Sequence, residues 1–585
     1  MVAVSNSEGQ KRRRRWLIAA AIAVVVVIWA LLLGVRTFSA YRHDKNGLAV
    51  LQQVKANLTP GQVTSSASEK LLDQAHAEFA TAQSDLSSPV FVPITVVPVI
   101  GRQFRAVKAL STAAGTVSQV GSSFLSQVHD VLDAPHGAGQ ERVASLRQLG
   151  ALSLVAENQL AQVDTGPSQA LISPLASKRN EFVTQLNNAR LRLTKSASVA
   201  AVVAKILEGP QTYLVLAANN AEMRAGSGAF LDAGVATTSS GSLTLSNLGP
   251  SGARILPPGV VNPTGDFQLN WGWLLPGVDL RNQGLTPQFD VTAPLAARTW
   301  TALTGQQLDG VLAIDVVGVQ QLLEATGPVT VNGESVSAAN VEQYLFHDQY
   351  AGVSDNAAGA PQRQDALGTL TGAVLRQLQG QSTDLRTLAT AMSSAVAGRH
   401  LMVWSSNPVD QAAWRVSGVS GSLTAKSVDV SLINRGGNKL DQYLPVDVAV
   451  TTTPVGSDTN VTMTTRLING TPPGQSQFIA GPFPGVPVTY GGYFGLVAAN
   501  LPAAASDISM TGAGPLAVKG AEGPTWVVAA PVTIANGATS TVVVRFRMPG
   551  AHGSMTVVPS ARVPAEQWTA NGHTFDDTAP AVITW

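Results

Sequence analysis

The sequence predicts a multidomain protein with an N-terminal transmembrane helix, an extracytoplasmic α-helical stalk, an α/β central domain and a C-terminal all-β sandwich. Three observations lead to this prediction: an uncharged apolar stretch near the N-terminus, apolar residues repeating every three or four positions in the first third, and apolar–polar alternation near the C-terminus. At 585 residues the chain is too long for one hydrophobic core. The predicted boundaries are 1–15 for a cytoplasmic basic tail, 16–36, 41–200, 201–400 and 401–585.

The composition excludes several classes of function. A net charge of +1 predicts no broad attraction to nucleic acid, because the positive charge is concentrated in the run KRRRR at 11–15. The chain has no cysteine, which excludes a disulfide framework, cysteine-ligated zinc, iron–sulfur clusters and cysteine nucleophiles. The chain also lacks a GxSxG elbow, a P-loop, an HExxH motif and a dinucleotide fingerprint.

Residues 16–35, WLIAAAIAVVVVIWALLLGV, are uncharged and long enough to cross the hydrocarbon core as a helix. The basic run stands directly before them, and positive flanks stay in the cytoplasm. We therefore expect a single-pass protein of the cell membrane with a cytoplasmic N-terminus and the bulk of the chain outside. The alternative is a cleaved signal peptide, whose apolar region is shorter and ends at small residues; here Arg36, Phe38 and Tyr41 follow.

Between about 41 and 200, stripes of apolar residues predict an extracytoplasmic helical bundle or a pair of hairpins. The segment 87–103, SSPVFVPITVVPVIGRQ, interrupts the pattern with three prolines, so it is too proline-rich for a helix and too short to span a membrane. It is either a buried corner between two helices or an apolar loop that dips into the outer leaflet close to the anchor. Burial of Phe91 and Val96 would favour the corner, and their exposure the loop.

The pattern changes near Gly209-Pro210, where strands begin to alternate with helices. Strands are predicted at 213–217, 310–315 and 328–331, with a helix at 316–325 and two more helices in SAANVEQYLFHDQY and PQRQDALGTLTGAVLRQL, the first with Ser337 as its N-cap. Such alternation is typical of an α/β layered domain.

These residues resemble a family found in actinobacteria and their relatives, a domain of unknown function (number four thousand and twelve). The matching stretches are YLVLAANNAEMRAGSGAF, DGVLAIDVVGVQQLLEATGPVTV, NVEQYLFHDQY, PQRQDAL, HLMVWSSNP and LINRGGNKLDQYL, with PVIGRQFRAV as a weaker match. Together they extend over most of the chain after about residue 90.

The middle of this domain is also similar, more distantly, to the LytR–CpsA–Psr proteins, so its fold is expected to be LytR–CpsA–Psr-like. Those single-pass envelope proteins transfer glycopolymers from polyprenyl pyrophosphate carriers to cell-wall peptidoglycan. The shared parts are the DGVLAIDVVGVQQLLEATGPVTV unit, Arg363-Gln364, and Arg224 in the place of an early arginine. The chain departs from that pattern at Asn219 and Asn220, because the LytR–CpsA–Psr pattern has acidic residues there that help to hold magnesium. The family's serine–isoleucine–proline–arginine–aspartate stretch is not visible either.

The candidate ligand-binding residues, for an anion or a pyrophosphate, lie near the ends of the predicted strands. Arg224 and Glu222 stand in a turn with Gly226 and Gly228, which either binds a phosphate or carboxylate or is pinned by an ion pair between the two side chains. Asp315 ends a strand, as a site residue or as a helix cap. The full set is Asn219, Asn220, Glu222, Arg224, Asp315 and Arg363, the last of which is alternatively a solvated surface arginine. His347 is interpreted as a lone surface histidine.

In the C-terminal part, LTAKSVDVSLIN, VDVAVTTTPV, NVTMTTRLIN and STVVVRFRM alternate as half-buried antiparallel strands do, which predicts an immunoglobulin-like sandwich. RGGNKLDQYL is predicted to form a tight hairpin turn with Gly436 and Gly437 at positive φ and a pair between Lys439 and Asp441.

Two classes of function follow. The favoured one is an extracytoplasmic binding or scaffold module that acts on envelope glycan or on a partner protein. The alternative is a transferase that moves a polyprenyl-pyrophosphate-linked glycopolymer to the cell wall, with Arg224 and Arg363 holding the pyrophosphate. No metal and no cofactor are expected, except magnesium under the transferase alternative.

Overall fold

The computed structural model describes residues 7–56, 66–134, 139–350, 360–379 and 385–585. The chain divides into two compact units. The first comprises Met1–Ala134 with Gln148–Ser198, and the second comprises Pro135–Arg147 with Val199–Trp585.

The first unit is helical, as the apolar stripes predict. Its helices are α1 (Ser7–Ala56), α2 (Ser66–Leu86), α3 (Val92–Thr95), α4 (Pro98–Asp133), α5 (Gln140–Ala161) and α6 (Ser173–Glu208). The first residues of α5 and the last residues of α6 are assigned to the second unit. Val50, Phe79 and Ala114 bring α1, α2 and α4 together in one buried cluster. Among the described residues, one stretch, Val24–Val54, is long and apolar enough to cross a membrane. It fits a single-pass anchor or a signal sequence.

The proline-rich segment is more helical than its sequence predicts. A 3-10 turn spans Pro89–Phe91, α3 follows it, and α4 begins at Pro98. The prediction that this segment excludes helix is wrong, because each proline lies in the first turn of its element, where a backbone N–H has no intrahelical partner to lose. Phe91 is buried and Val96 is 76% exposed, so the segment is partly a packed corner and partly an exposed apolar loop.

The second unit begins with a five-stranded mixed sheet in the order β3-β2-β1-β4-β7. Its strands are β1 (Gln211–Met223), β2 (Gly228–Ser239), β3 (Ser242–Pro250), β4 (Gly310–Asp315) and β7 (Leu401–Ser405), and a separate small hairpin is formed by β5 (Val329–Val331) and β6 (Glu334–Val336). β1 and β4 are parallel, with Leu214 opposite Val311, and the remaining pairs are antiparallel. Because β7 pairs with β4, the central sheet includes residues beyond 400.

Helices cover both faces of this sheet. The helices of this region are α7 (Gly265–Trp271), α8 (Phe289–Thr304), α9 (Val316–Thr326), α10 (Val341–Phe346), α11 (Ala360–Gln377), α12 (Leu385–Ala397) and α13 (Pro408–Ser417), of which α7 packs against residues of the C-terminal part, among them Val518. Leu214 and Leu216 of β1 pack with Trp300 of α8, whereas Ala217, the residue after Leu216, packs in the cluster formed by α9 and α11. The strand–helix alternation is therefore confirmed. Ser337 is not the N-cap of α10, since Asn340 holds that position and its side-chain oxygen accepts from the Ser337 N–H (2.7 Å).

The C-terminal part is rich in β-structure and contains two six-stranded sheets, β12-β15-β10-β9-β17-β18 and β13-β14-β11-β8-β16-β19. The strands are β8 (Ser427–Asn434), β9 (Val446–Val455), β10 (Asp458–Ile468), β11 (Tyr493–Pro502), β12 (Ser506–Thr511), β13 (Val518–Glu522), β14 (Thr525–Ile534), β15 (Thr539–Pro549), β16 (Ser554–Val557), β17 (Gln567–Ala570), β18 (His573–Asp576) and β19 (Ala581–Thr584), with a short helix α14 (Gln477–Ala480). Val430 and Val528 from one sheet share a core with Val448, Met463 and Trp568 from the other.

The predicted hairpin at RGGNKLDQYL is wrong. β8 and β9, which flank it, lie in different sheets, so this segment carries the chain from one sheet to the other through a 3-10 turn at Leu440–Tyr443. Gly437 has a positive φ of 66°, as predicted, and Gly436 does not. The sequence therefore predicts the turn at Gly437 correctly. It does not predict which strands pair, because strand pairing is decided by tertiary contacts with distant residues.

Candidate functional site

The end of β1 brings four of the six predicted site residues into two neighbouring networks. Asn220 and Asp315 belong to one, and Glu222 and Arg224 to the other, whereas Asn219 Oδ1 accepts from the Ala221 N–H (2.9 Å). Arg363 lies within the backbone of α11, but its side chain falls outside the described residues. Whether Arg363 shares a site with Arg224 therefore stays a prediction.

The first network is fully enclosed. The Asn220 amide donates to Asp315 Oδ2 (2.7 Å) and to the Ala561 carbonyl (2.7 Å), and its Oδ1 accepts from the Val316 N–H (3.1 Å). Asp315 Oδ1 accepts from the Gly318 N–H (2.9 Å), so Asp315 is the N-cap of α9. Of the two predicted roles of Asp315, the helix cap is the one that its contacts display.

His400 completes this network and was not among the predicted residues. Its Nδ1 lies 2.8 Å from Asp315 Oδ2. Burial opposes the charged imidazolium, but the Asp315 carboxylate outweighs it and raises the pKa of His400 above its ordinary value. The strand pairing explains this contact. Leu401 stands opposite Ile314 in an antiparallel pair, so His400, just before β7, stands opposite Asp315, the residue after Ile314.

The second network is a buried ion cluster around Glu222. Arg224 approaches Glu222 Oε1 at 3.3 Å and Lys439 approaches Oε2 at 3.4 Å. Burial would raise the pKa of Glu222, but the two cations outweigh it and lower that pKa. Lys439 also lies 5.8 Å from the Tyr350 ring centre and 5.3 Å from that of Phe478. The predicted pairing of Lys439 with Asp441 is wrong, since Lys439 pairs with a residue of β1.

Asp441 ties the same end of β1 to the C-terminal part. Its Oδ2 accepts from the Met223 backbone N–H (3.0 Å) and from Asn434 Nδ2 (2.8 Å), and its Oδ1 accepts from Arg562 (3.1 Å). The Asp441 and Arg562 side chains are both 0% exposed. The strand that carries most of the predicted site is therefore held by residues far away in sequence.

Two donors at this end of β1 have no hydrogen-bond partner among the described residues. They are Asn219 Nδ2 and Arg224 Nε, both buried. The other Arg224 contacts are to the Met223 and Asn434 carbonyls (2.9 and 3.1 Å). A buried donor without an acceptor costs on the order of 1–3 kcal/mol, so an acceptor oxygen placed here would be favourable.

His347 is half-buried rather than a solvated surface residue. Its Nδ1 lies 3.2 Å from the Tyr443 hydroxyl, which also donates to Gln475 (3.1 Å). Burial lowers the pKa of His347. In the described parts of the chain, no three His, Asp or Glu side chains converge in a way that could hold a metal ion.

An open groove lies on the same unit, between α7, α8 and the turn that joins β13 to β14. It has a volume of about 290 Å³, and its polar lining includes Asp266, Gln288, Asp290, Arg298 and Glu522. Asp266 accepts from the Gly523 N–H (2.9 Å) and Asp290 from the Ser422 hydroxyl (2.7 Å). No pattern in the sequence predicts this groove, because its walls come from segments more than 200 residues apart.

Residues 208–350 match the sequence model of a family described as "Protein of unknown function (DUF4012)". This segment is similar to that family. The DUF4012 segment contains Asn219, Asn220, Glu222, Arg224 and Asp315 but ends before the residues that pair with them from the C-terminal part. No curated protein and no solved structure matches the chain.

Proposed function

We propose that the protein is a single-pass, membrane-anchored binding or scaffold module of the cell envelope, with its bulk outside the cytoplasm and with envelope glycan or a partner protein as its ligand. The apolar helix that contains Val24–Val54 supports the anchor, and the basic run at 11–15 supports a cytoplasmic N-terminus. The C-terminal sheets, as a sandwich, would serve as a contact surface.

The binding role is supported by one observation: the charged groups at the end of β1 are already paired with other residues of the chain. Asp315 caps a helix and bonds to His400, and Glu222 forms ion pairs with both Arg224 and Lys439. Side chains committed to partners in this way position the backbone and are poorly placed to handle a substrate. This pairing supports a structural role for the end of β1.

The groove is the better surface for a ligand. Arg298 is exposed and donates to the Asn262 carbonyl (3.1 Å), while Asp290 Oδ1 has no partner among the described residues. Carboxylate, amide and guanidinium groups together suit the hydroxyl and amide groups of a glycan, which both donate and accept. The groove volume lies near the lower end of the range for ligand pockets.

A transferase of polyprenyl-pyrophosphate-linked glycopolymer is the second candidate. It is favoured by the unpaired Asn219 and Arg224 donors, which a pyrophosphate oxygen would satisfy. Under this alternative, Arg363 would turn toward the same anion, magnesium would assist, and the domain would have a LytR–CpsA–Psr-like fold.

Thermal unfolding of the full chain in detergent distinguishes the two candidates. Glycan fragments released from the envelope are expected to raise the melting temperature of wild type and of Arg224→Lys, and to lose their effect in Arg298→Ala. Ligand at one hundred times its Kd stabilises the folded state by about 2.7 kcal/mol. Arg466→Ala, an exposed arginine on β10, is the matched control and should respond like wild type.

The second ligand in this experiment is a short-chain polyprenyl pyrophosphate, tested with and without Mg²⁺. The binding role predicts no shift that depends on Arg224. A rise in melting temperature that Arg224→Lys abolishes, together with no response to glycan fragments, would overturn the proposal in favour of the transferase.

A further inference from the structure

The segment 86–101 presents an exposed apolar surface beside the anchor helix. No charged residue lies between Asp85 and Arg102. Five aliphatic side chains in nine residues face solvent, with exposed fractions of 61% for Val92, 76% for Val96, 41% for Val97, 70% for Val99 and 58% for Ile100. Apolar surface concentrated in this way marks an interaction with another molecule or with a membrane.

Contacts with α1 show how far along the anchor helix, and so at what membrane depth, this segment begins. The Trp29 indole N–H donates to the Val90 carbonyl (2.9 Å), and Leu33 packs against the cluster that contains Phe91. Trp29 precedes Val35, the last residue of the apolar stretch, by six positions, so it lies about 9 Å inside the end of that stretch at 1.5 Å per residue. Val90 is therefore at hydrocarbon depth if α1 spans the membrane.

Charged residues mark where the segment leaves this level. Asp85, just before it, pairs with Arg36, the first residue after the apolar stretch of the anchor (2.5 Å). Arg102 and Arg105 follow it on α4, and Arg105 reaches back to the Thr95 carbonyl (2.9 Å). Cations at this position suit the anionic groups of a lipid headgroup layer. The chain thus enters the hydrocarbon layer after Asp85 and returns to the headgroup layer before Arg102.

The backbone of the segment is prepared for a medium without water. Non-helical backbone at membrane depth is costly unless its polar groups are satisfied. Three prolines remove three N–H donors, at Pro89, Pro93 and Pro98. Five of the carbonyls in this stretch accept hydrogen bonds within the unit: those of Val90 from Trp29, Val92 from the Thr95 hydroxyl, Ile94 from the Val97 N–H, Thr95 from Arg105 and Val97 from the Gly101 N–H.

We propose that residues 86–101 insert into the outer leaflet of the membrane that holds the anchor helix and form a second membrane contact of this chain. The inference rests on the proposed anchor, because the depth of the segment is measured from α1. Its occupant is the lipid bilayer, since the segment is bonded to the anchor through Val90 and Trp29 at hydrocarbon depth and exposes aliphatic side chains on either side of Thr95.

The absence of native cysteine allows a direct test on the full chain. Single cysteines are introduced at Val96, at Leu32 in the anchor and at Val155 on α5, an exposed valine of the first unit. Each variant carries an environment-sensitive fluorophore and is reconstituted in phospholipid vesicles with or without lipids that bear a nitroxide on the acyl chain. We expect the nitroxide to quench Val96→Cys and Leu32→Cys at least two-fold, and Val155→Cys only marginally.

The control positions separate the two proposals. Quenching at Leu32 without quenching at Val96 would overturn the outer-leaflet contact and leave the anchor standing. Absence of quenching at Leu32 would overturn the anchor, and the inference with it. Equal quenching at Val96 and Val155 would also contradict the inference, because the whole helical unit would then lie against the bilayer.

Discussion

Replacing Arg562 with methionine is expected to lower the free energy of unfolding by about 3–5 kcal/mol, because it leaves a buried carboxylate without its cation. Arg562 contacts Asp441 Oδ1 (3.1 Å) and the Leu444 carbonyl (2.7 Å), and Glu566 lies 4.0 Å away. All three charged side chains are at most 1% exposed, so water cannot take over these contacts. Chemical denaturation of the full chain in detergent, followed by tryptophan fluorescence, measures the loss.

The matched control is Arg466→Met. Arg466 pairs with Asp447 on the β-rich part, but both side chains are about half exposed. Such surface pairs contribute between 0 and about 1 kcal/mol. If Arg562→Met destabilises the protein no more than Arg466→Met does, the buried pair does not hold β1 to the C-terminal part.

The DUF4012 segment alone, residues 208–350, is expected not to fold. Without β7 the inner strand β4 becomes an open edge. Phe267, Trp271 and Leu285 would lose the core that they share with residues of the C-terminal part, among them Leu496 and Val527. Circular dichroism and thermal unfolding of this fragment should show no cooperative transition.

A longer fragment, residues 199–585, keeps these contacts and serves as the control. It contains nearly all of the second compact unit. We expect it to unfold cooperatively at a temperature close to that of the full chain. A cooperative transition in the 208–350 fragment would show instead that the family segment is an independent domain.

The elements that the sequence predicts well are those with a strong local pattern. β4, α9 and β5 follow from GVLAID, VVGVQQLLEA and VTV, because buried apolar runs and helical periodicity are properties of neighbouring residues. The proline-rich segment was misjudged because three prolines suit helix starts as well as loops. The hairpin after β8 was misjudged because a turn signal does not state which sheet the next strand joins.

The candidate site was predictable only where its contacts are local. The cap at Asp315 bonds three residues along the chain, a spacing that helix geometry fixes. The contact between Lys439 and Glu222 joins residues 217 positions apart, and the one between Asn220 and Ala561 joins residues 341 apart. Such contacts depend on how the two β-rich regions pack, which no spacing in one sequence encodes. Asn219 and Arg224 are predicted ligand-binding residues, and each has a buried donor without a partner among the described residues, but their ligand stays a prediction.

The proposed topology has one anchor helix that holds a large binding module outside the cytoplasm. It is tested most directly by labelling intact cells with a membrane-impermeant maleimide, using Val582→Cys near the C-terminus, where Val582 is exposed, and Lys11→Cys in the basic run. We expect Val582→Cys to react in intact cells and Lys11→Cys to react only after permeabilisation. Reaction of Lys11→Cys in intact cells, with protection of Val582→Cys until lysis, would contradict it.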